Sequence, residues 1–241
     1  MLMRATVAPL PPAVREPSAC SICAVRSRAL FSSVPEGQLE LAAAAVTHLR
    51  FEPGDTVFAQ GDTAGAVFTL RRGIVRFERA SSDGQRRIMR LAGVGSLIGQ
   101  EAMVRRPYAE DAVACTPVEV CRIPRAAVED FGAREPAILR ELMQRWQAAL
   151  EAAGEWTAEL TRGTARRRVL KLLDQLQQLA SEGEIWLPSR PEMADMLGIA
   201  TETASRVVSR LRREGVIVGA TVGHARLEAG RLSSALVAAD L

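Results

Sequence analysis

What is scarce in this sequence narrows its function before any motif is read. No apolar run approaches the ~20 residues that a bilayer-crossing helix needs. The stretch Met1 to Arg15 also lacks a continuous apolar segment of the secretory type, which predicts a cytoplasmic protein with no membrane partner. Only two histidines are present, His48 and His224, and they lie far apart in the chain. No Gly-rich phosphate loop or nucleophile motif accompanies them, so acid–base or covalent catalysis has no visible machinery and the chain reads as a non-enzyme. Lysine is nearly absent too: Lys171 is the only one among 31 basic residues. Arginine has replaced it throughout, so an arginine carries meaning only where its position on an element gives it a role.

The 241 residues, 48% of them hydrophobic, suffice for two modest globular domains. A net charge of +3 says little about partners, although a calculated pI of 8.9 permits nucleic acid. The distribution says more. Between Arg162 and Gly215 stand ten basic residues (Arg162, Arg166, Arg167, Arg168, Lys171, Arg190, Arg206, Arg210, Arg212, Arg213) against seven acidic ones, bunched at the two ends as phosphate contacts would be. The four cysteines are Cys20, Cys23, Cys115 and Cys121. In a reducing cytoplasm a Cys-x-x-Cys pair points to a metal, cluster or redox site before a structural disulfide.

Periodicity divides the chain into four parts within an α+β fold. Pro9, Pro11, Pro12 and Pro17 predict a flexible arm over residues 1–34 that carries the cysteine pair, with a short helix from Pro35 to about Leu49 after it. Within residues 35–133, turn signals recur at short intervals from Pro53-Gly54-Asp55 to Thr116-Pro117. They separate short β-rich runs such as Ala66-Val67-Phe68-Thr69-Leu70, which predicts a small antiparallel β-roll. Over residues 134–162 the period changes to 3.6, and Ile138, Leu142, Arg145, Trp146, Ala149, Leu150, Ala153, Trp156 and Leu160 stay near one stripe. That stripe either packs on the chain's own roll or pairs with the same helix of a second copy as a dimer seam. Residues 163–241 read as a helix over Ala165 to Leu179, a strand near Glu184 to Leu187, two short helices and a hairpin, the outline of a winged helix-turn-helix.

The segment from Ser189 to Gly198 is the sharpest signal. Ser189 and Glu192 have capping-box spacing and Pro191 sits in the first turn, where its missing N–H costs nothing. Gly198 then supplies a tight turn, and Thr201 is positioned to cap a second helix running to about Arg213. On that helix Ala204, Val207, Val208 and Leu211 take the core side, leaving Glu202, Ser205, Arg206 and Ser209 at i, i+3, i+4 and i+7 outside. Arginine can donate two hydrogen bonds to guanine, glutamate can accept from cytosine N4, and serine can meet either kind of base edge. A solvated charged face has the same composition, but recognition helices meet base edges near their N-terminal ends, where this face lies. Arg190, Arg210, Arg212 and Arg213 then suit phosphates, which set affinity without reading sequence.

These parts and motifs resemble the CRP/FNR family of bacterial regulators from Cys20 to about Leu227. The resemblance implies a cyclic-nucleotide-binding type of β-roll, a long dimerisation helix and a C-terminal winged helix-turn-helix acting on double-stranded DNA as a homodimer. Thr201-Glu202-Thr203-Ala204-Ser205-Arg206 is similar to the Glu-x-x-Ser-Arg pattern of the FNR branch, which implies a TTGAT-type palindrome. The family's cyclic AMP cassette needs an Arg-Ser pair; the corresponding residues here are Tyr108-Ala109, after Gly99-Gln100-Glu101-Ala102. No residue there neutralises a cyclic phosphate, and no cyclic AMP binding is expected. The loop holding Ser82, Asp83 and Gly84 looks like the one through which FNR-type activators touch RNA polymerase.

The FNR branch holds an oxygen-labile iron–sulfur cluster on four cysteines, and Cys20, Cys23 and Cys121 match three of those positions. The fourth position is Ala29. Three readings stay open: Cys115 or a non-cysteine group completes a cluster; the thiols form a redox disulfide or bind another metal; or the site is vestigial and the regulator answers to another ligand or to its own abundance. A rival of another class is a ligand-binding β-roll module whose output is protein contact.

Overall fold

The computed structural model describes residues 23–32, 34, 37, 43–80, 86–180, 183–221 and 223–240. Cys20 and the loop Ser82-Asp83-Gly84 lie outside these residues. The chain divides into two compact units, one formed by residues 1–79 with 91–149 and the other by 80–90 with 150–241.

The first unit is the roll. Its strands are β1 (Thr47–Phe51), β2 (Thr56–Phe58), β3 (Ala66–Arg72), β4 (Val75–Ala80), β5 (Arg86–Ala92), β6 (Leu97–Ile98), β7 (Asp111–Ala114) and β8 (Val118–Pro124), with the outer part of the β4–β5 hairpin assigned to the second unit. They form two antiparallel sheets, in the orders β1-β8-β3-β6 and β2-β7-β4-β5. Phe51, Leu70, Phe77 and Ile98 from both sheets are fully buried in one core, and Phe58 stacks on Tyr108 with ring centroids 4.0 Å apart. The turn between β3 and β4 needs Gly73: its φ is +85°, and a Cβ there would strike the Pro117 carbonyl and the Thr116 hydroxyl. The helix expected to run to Leu49 does not, because Thr47–Phe51 is already strand β1, paired along its length with β8. The β-branched and aromatic residues there find a partner strand, and the partner outweighs local helical periodicity.

Helix α1 (Arg125–Arg134) leads into α2 (Pro136–Leu160). At ~1.5 Å per residue, α2 is a rod of roughly 37 Å. The expected seam along it separates into two stripes. Ile138 and Leu142 are buried in the core of the roll. Arg145 is mostly buried as well: its Nη2 donates to the Ala29 carbonyl at 3.0 Å, its Nη1 to that of Gly95 at 3.4 Å, and it pairs with Glu141 at 2.6 Å. These three therefore face the chain's own roll. Ala149 and Ala153 are half-buried, and Trp156 and Leu160 are buried. The exposed apolar stripe is instead Leu139, Met143, Trp146 and Leu150, which are 41, 69, 41 and 64% exposed. Their 4-3-4 spacing is that of coiled-coil positions. The two stripes lie one residue apart, about 100° of helical rotation, so apolar content alone merges them.

The second unit contains α3 (Ala165–Leu179), β9 (Glu184–Trp186), α4 (Arg190–Leu197), α5 (Thr201–Arg213), β10 (Ile217–Thr221), β11 (His224–Leu227) and α6 (Ala229–Asp240). Strands β10, β11 and β9 make a three-stranded antiparallel sheet in that order. Val169, Leu170, Leu172, Leu173 and Leu176 of α3 are fully buried, as are Met193, Leu197, Ala204, Val208 and Leu211. This is a winged helix-turn-helix. Among the described residues no helix is long and apolar enough to cross a membrane.

Candidate nucleic-acid interface and cysteine cavity

Helix α4 begins as its sequence dictates. The Ser189 amide donates to Glu192 Oε2 at 2.8 Å and the Glu192 amide donates to Ser189 Oγ at 3.4 Å, a complete capping box with Pro191 in the first turn. Gly198 ends the helix in the left-handed region with φ +59°, and its amide reaches back to the last carbonyls of α4. Two residues later α5 starts. Its N-cap is Ala200, with no side-chain cap; Thr201, expected to cap the helix, is its first residue. Arg168 Nη1 donates to the Leu197 carbonyl at 3.0 Å, tying α3 to the end of α4.

On α5, Ala204, Val208 and Leu211 are fully buried and Val207 is half-buried, while Glu202, Ser205, Arg206 and Ser209 are all exposed along the opposite side. The buried side fixes the rotation of the helix about its axis, and that rotation sets which four residues face outward. Around this face lie the arginines read as phosphate contacts. Arg212 and Arg213 are exposed. Arg190 is half-buried, and burial followed by the charge of Arg212 pushes its guanidinium below the usual arginine range. An anion placed between those two guanidinium groups relieves their repulsion. Arg210 points out but donates its Nε to Glu214 at 2.8 Å. On the wing, Arg226 pairs with Glu184 at 3.3 Å and His224 is exposed opposite Trp186.

Glu214 was not anticipated from the sequence. It ends the recognition helix and joins three elements: Oε2 accepts from Arg166 of α3 at 2.7 Å, Oε1 accepts from Arg210, and its carbonyl accepts from Arg231 of α6 at 2.8 Å. The Arg166 hydrogen bond, acting against burial and reinforced by Arg210, holds the Glu214 carboxyl below the usual carboxylate range. A depressed folded-state pKa stabilises the fold above the unfolded value, about 4.3 for glutamate, and this contribution is lost as pH falls through the lower folded value. The thermal midpoint of the winged unit should therefore drop on acidification below about pH 4.3, and Glu214→Gln should flatten that part of the profile; scanning calorimetry between about pH 3 and 7 measures both.

In the roll, Cys23 and Cys121 line one cavity of about 40 Å³, together with Val25, Arg26, Ala29, Leu30, Phe31, Val46, Thr69 and Ile123. Cys121 sits opposite His48 on β1 and Thr69 on β3. Cys115 is not part of this cavity. It is buried just after β7, a strand of the other sheet, with its amide bonded to the Ile74 carbonyl at 2.8 Å. Ala29, the position where the FNR pattern has a cysteine, does lie on the cavity wall. Among the described residues no group of three or more histidine, cysteine or carboxylate side chains is placed to hold a metal. Of the FNR-type cysteine positions, Cys23 and Cys121 line this cavity, the alanine methyl of Ala29 takes the place of one ligand, and Cys20 lies outside the described residues.

The stretch corresponding to the family's cyclic-phosphate cassette carries hydrogen bonds of its own. Gln100 Nε2 donates to the Leu97 carbonyl, Glu101 Oε1 accepts from the Ala109 amide, and the Tyr108 hydroxyl donates to the Ala66 carbonyl at 2.8 Å. Tyr108 thus contributes to the aromatic core where the nucleotide-binding pattern places a cation.

Known proteins repeat this arrangement of parts. Residues 48–135 match the cyclic nucleotide-binding domain and residues 167–228 the Crp-like helix-turn-helix domain. The nitrogen fixation regulation protein FixK of Bradyrhizobium diazoefficiens is 30% identical over 221 residues, covering 89% of this chain and 92% of its own. The transcriptional activator protein FnrL of Cereibacter sphaeroides is 31% identical over 208 residues, covering 82% and 83%. The solved structure of FixK2 from Bradyrhizobium japonicum superposes with a TM-score of 0.69 at 26% identity, covering 78% of this chain and 96% of that one. A relative of this identity spanning nearly the full length of both chains leaves one conclusion: the protein belongs to the CRP/FNR family of transcription regulators and is not an enzyme.

Proposed function

We propose that the protein acts as a homodimer that reads a TTGAT-type palindrome through Glu202, Ser205, Arg206 and Ser209, and that the redox state of its cysteines sets its affinity for DNA. The observation that carries the DNA reading is the rotation of α5. Its apolar side is locked into the core, and the four polar residues stand together on the side a major groove would meet. Arg190, Arg212 and Arg213 flank that face as phosphate contacts, and Arg210 joins them through the donors that Glu214 does not engage. Leu139, Met143, Trp146 and Leu150 form the dimer seam. FnrL is named a transcriptional activator, and activation suits the loop Ser82-Asp83-Gly84 as a contact for RNA polymerase. Cyclic AMP is not a ligand in this reading, because Tyr108, whose hydroxyl is bonded to the Ala66 carbonyl, stands where a cation would neutralise the phosphate.

The geometry also supplies a route from cysteine to helix. Ala29 lines the cysteine cavity and its carbonyl accepts from Arg145 of α2, while Ser32 Oγ donates to Glu141 of the same helix at 2.7 Å. A shift of the segment around residues 23–32 therefore pulls on α2, whose outer stripe carries the seam.

Fluorescence anisotropy on a TTGAT-palindrome duplex tests the reading. Arg206→Ala should lose about 1–3 kcal/mol and relax the preference for the guanine-containing position. Arg213→Ala should weaken binding to all duplexes alike and lower the salt slope by about one. Equal affinity of the unaltered protein for the palindrome and a scrambled duplex would overturn the proposal in favour of protein contact as the output.

A further inference from the structure

We infer that Cys23 and Cys121 form a peroxide-responsive dithiol that closes to a disulfide across the cavity they share. The inference rests on the redox reading above and names the residues and the oxidant class. Both thiols line one cavity of about 40 Å³, so a small oxidant held there meets each of them. Apart from them, Arg26 and Thr69, the wall is apolar.

Thr69 supplies the second observation. It is 1% exposed, and its Oγ1 has no hydrogen-bond partner among the described residues. It stands directly opposite Cys121 in the strand register and lines the same cavity. A buried hydroxyl left without an acceptor is costly. A peroxide or a sulfenic acid oxygen in the cavity gives it one.

The chemistry balances with a hydroperoxide as the only co-reactant. The Cys23 sulfur attacks one peroxide oxygen; the O–O bond breaks, an S–O bond forms, and the departing hydroxide takes up the Cys23 thiol proton as water. The Cys121 sulfur then attacks the Cys23 sulfur; the S–O bond breaks, the S–S bond forms, and the second hydroxide leaves as water with the Cys121 proton. Two thiols lose two electrons and the peroxide gains them. Thr69 Oγ1 donates to the oxygen that carries the developing charge. Cys121 is fixed by strand pairing on both sides, whereas Cys23 sits on a turn before the short 3₁₀ helix Arg26–Arg28, so closure moves Cys23. Ala29 and Ser32 follow, and they are the residues that hold Arg145 and Glu141.

The test uses the full chain, purified without oxygen, treated with equimolar hydrogen peroxide and trapped with an alkylating agent. The expected result is an intact mass lower by two hydrogens before trapping and, after trapping, a peptide cross-linked between Cys23 and Cys121, with Cys115 alkylated throughout. Thr69→Val should slow cross-linking several-fold and Thr69→Ser should restore it. A Cys20–Cys23 link, or oxygen added to Cys23 without a cross-link, would overturn the pairing. Anisotropy on the same samples separates the two levels: a change in DNA affinity in either of those cases keeps the redox reading and removes only this pair, whereas a clean Cys23–Cys121 cross-link with unchanged DNA affinity keeps the pair and removes the redox reading.

Discussion

Trp146→Asp should convert the protein from dimer to monomer at micromolar concentration without unfolding it. Trp146 is 41% exposed in the single chain and lies beside Met143 and Leu150 on the outer stripe of α2, while Ile138 and Leu142 hold the inner side of the helix in the core. In a two-fold pairing each substitution acts twice, placing two carboxylates in an apolar seam. Sedimentation velocity should show a monomer and the thermal midpoint of the roll should stay where it was. Affinity for the palindrome should fall by about 10²–10⁴, because two half-sites are no longer engaged together. Ile138→Ala is the contrasting variant: it empties a fully buried site, should cost about 2–5 kcal/mol of stability, and should leave the association surface intact. A Trp146→Asp protein that still sediments as a dimer would move the seam to another face.

The same helix shows what the sequence could and could not carry. Ile138 and Leu139, or Leu142 and Met143, differ by one residue, and either set satisfies helical spacing. The choice between them is made by the roll, whose β-sheets come from residues 47–124. The helix-turn-helix was legible because its determinants are local: Ser189 with Glu192, Pro191, and Gly198 all act within one turn of where they stand. The outward face of α5 was legible for the same reason, since Ala204, Val208 and Leu211 fix it by periodicity alone. The cysteine cavity was half legible. Spacing along the chain paired Cys23 with Ala29. Only the register of β8 against β3 brings Thr69 to Cys121, and only the separation of the two sheets puts Cys115 elsewhere. Glu214 could not be found at all, because its partners Arg166 and Arg231 stand 48 residues before and 17 after it.

Leu211→Ala should produce the largest loss of stability in the winged unit, and it separates folding from reading on a single helix. Leu211 is fully buried two residues before the end of α5, and the truncation leaves a cavity worth about 3–5 kcal/mol in a well-packed site. Domains of this kind have about 5–15 kcal/mol in total, so much of the margin disappears. For a unit of this size each kcal/mol moves the midpoint by about 4–8 °C, which puts the expected drop at roughly 12–40 °C by circular dichroism. Arg206 lies five residues earlier on the exposed side, and Arg206→Ala should leave that midpoint within about 4 °C while weakening specific binding. Both variants bind DNA poorly at 37 °C, but cooling restores only Leu211→Ala, whose groups for base contact are intact once the helix is seated. Recovery of Arg206→Ala on cooling would mean that Arg206 supports the fold and that the exposed face of α5 does not read the DNA.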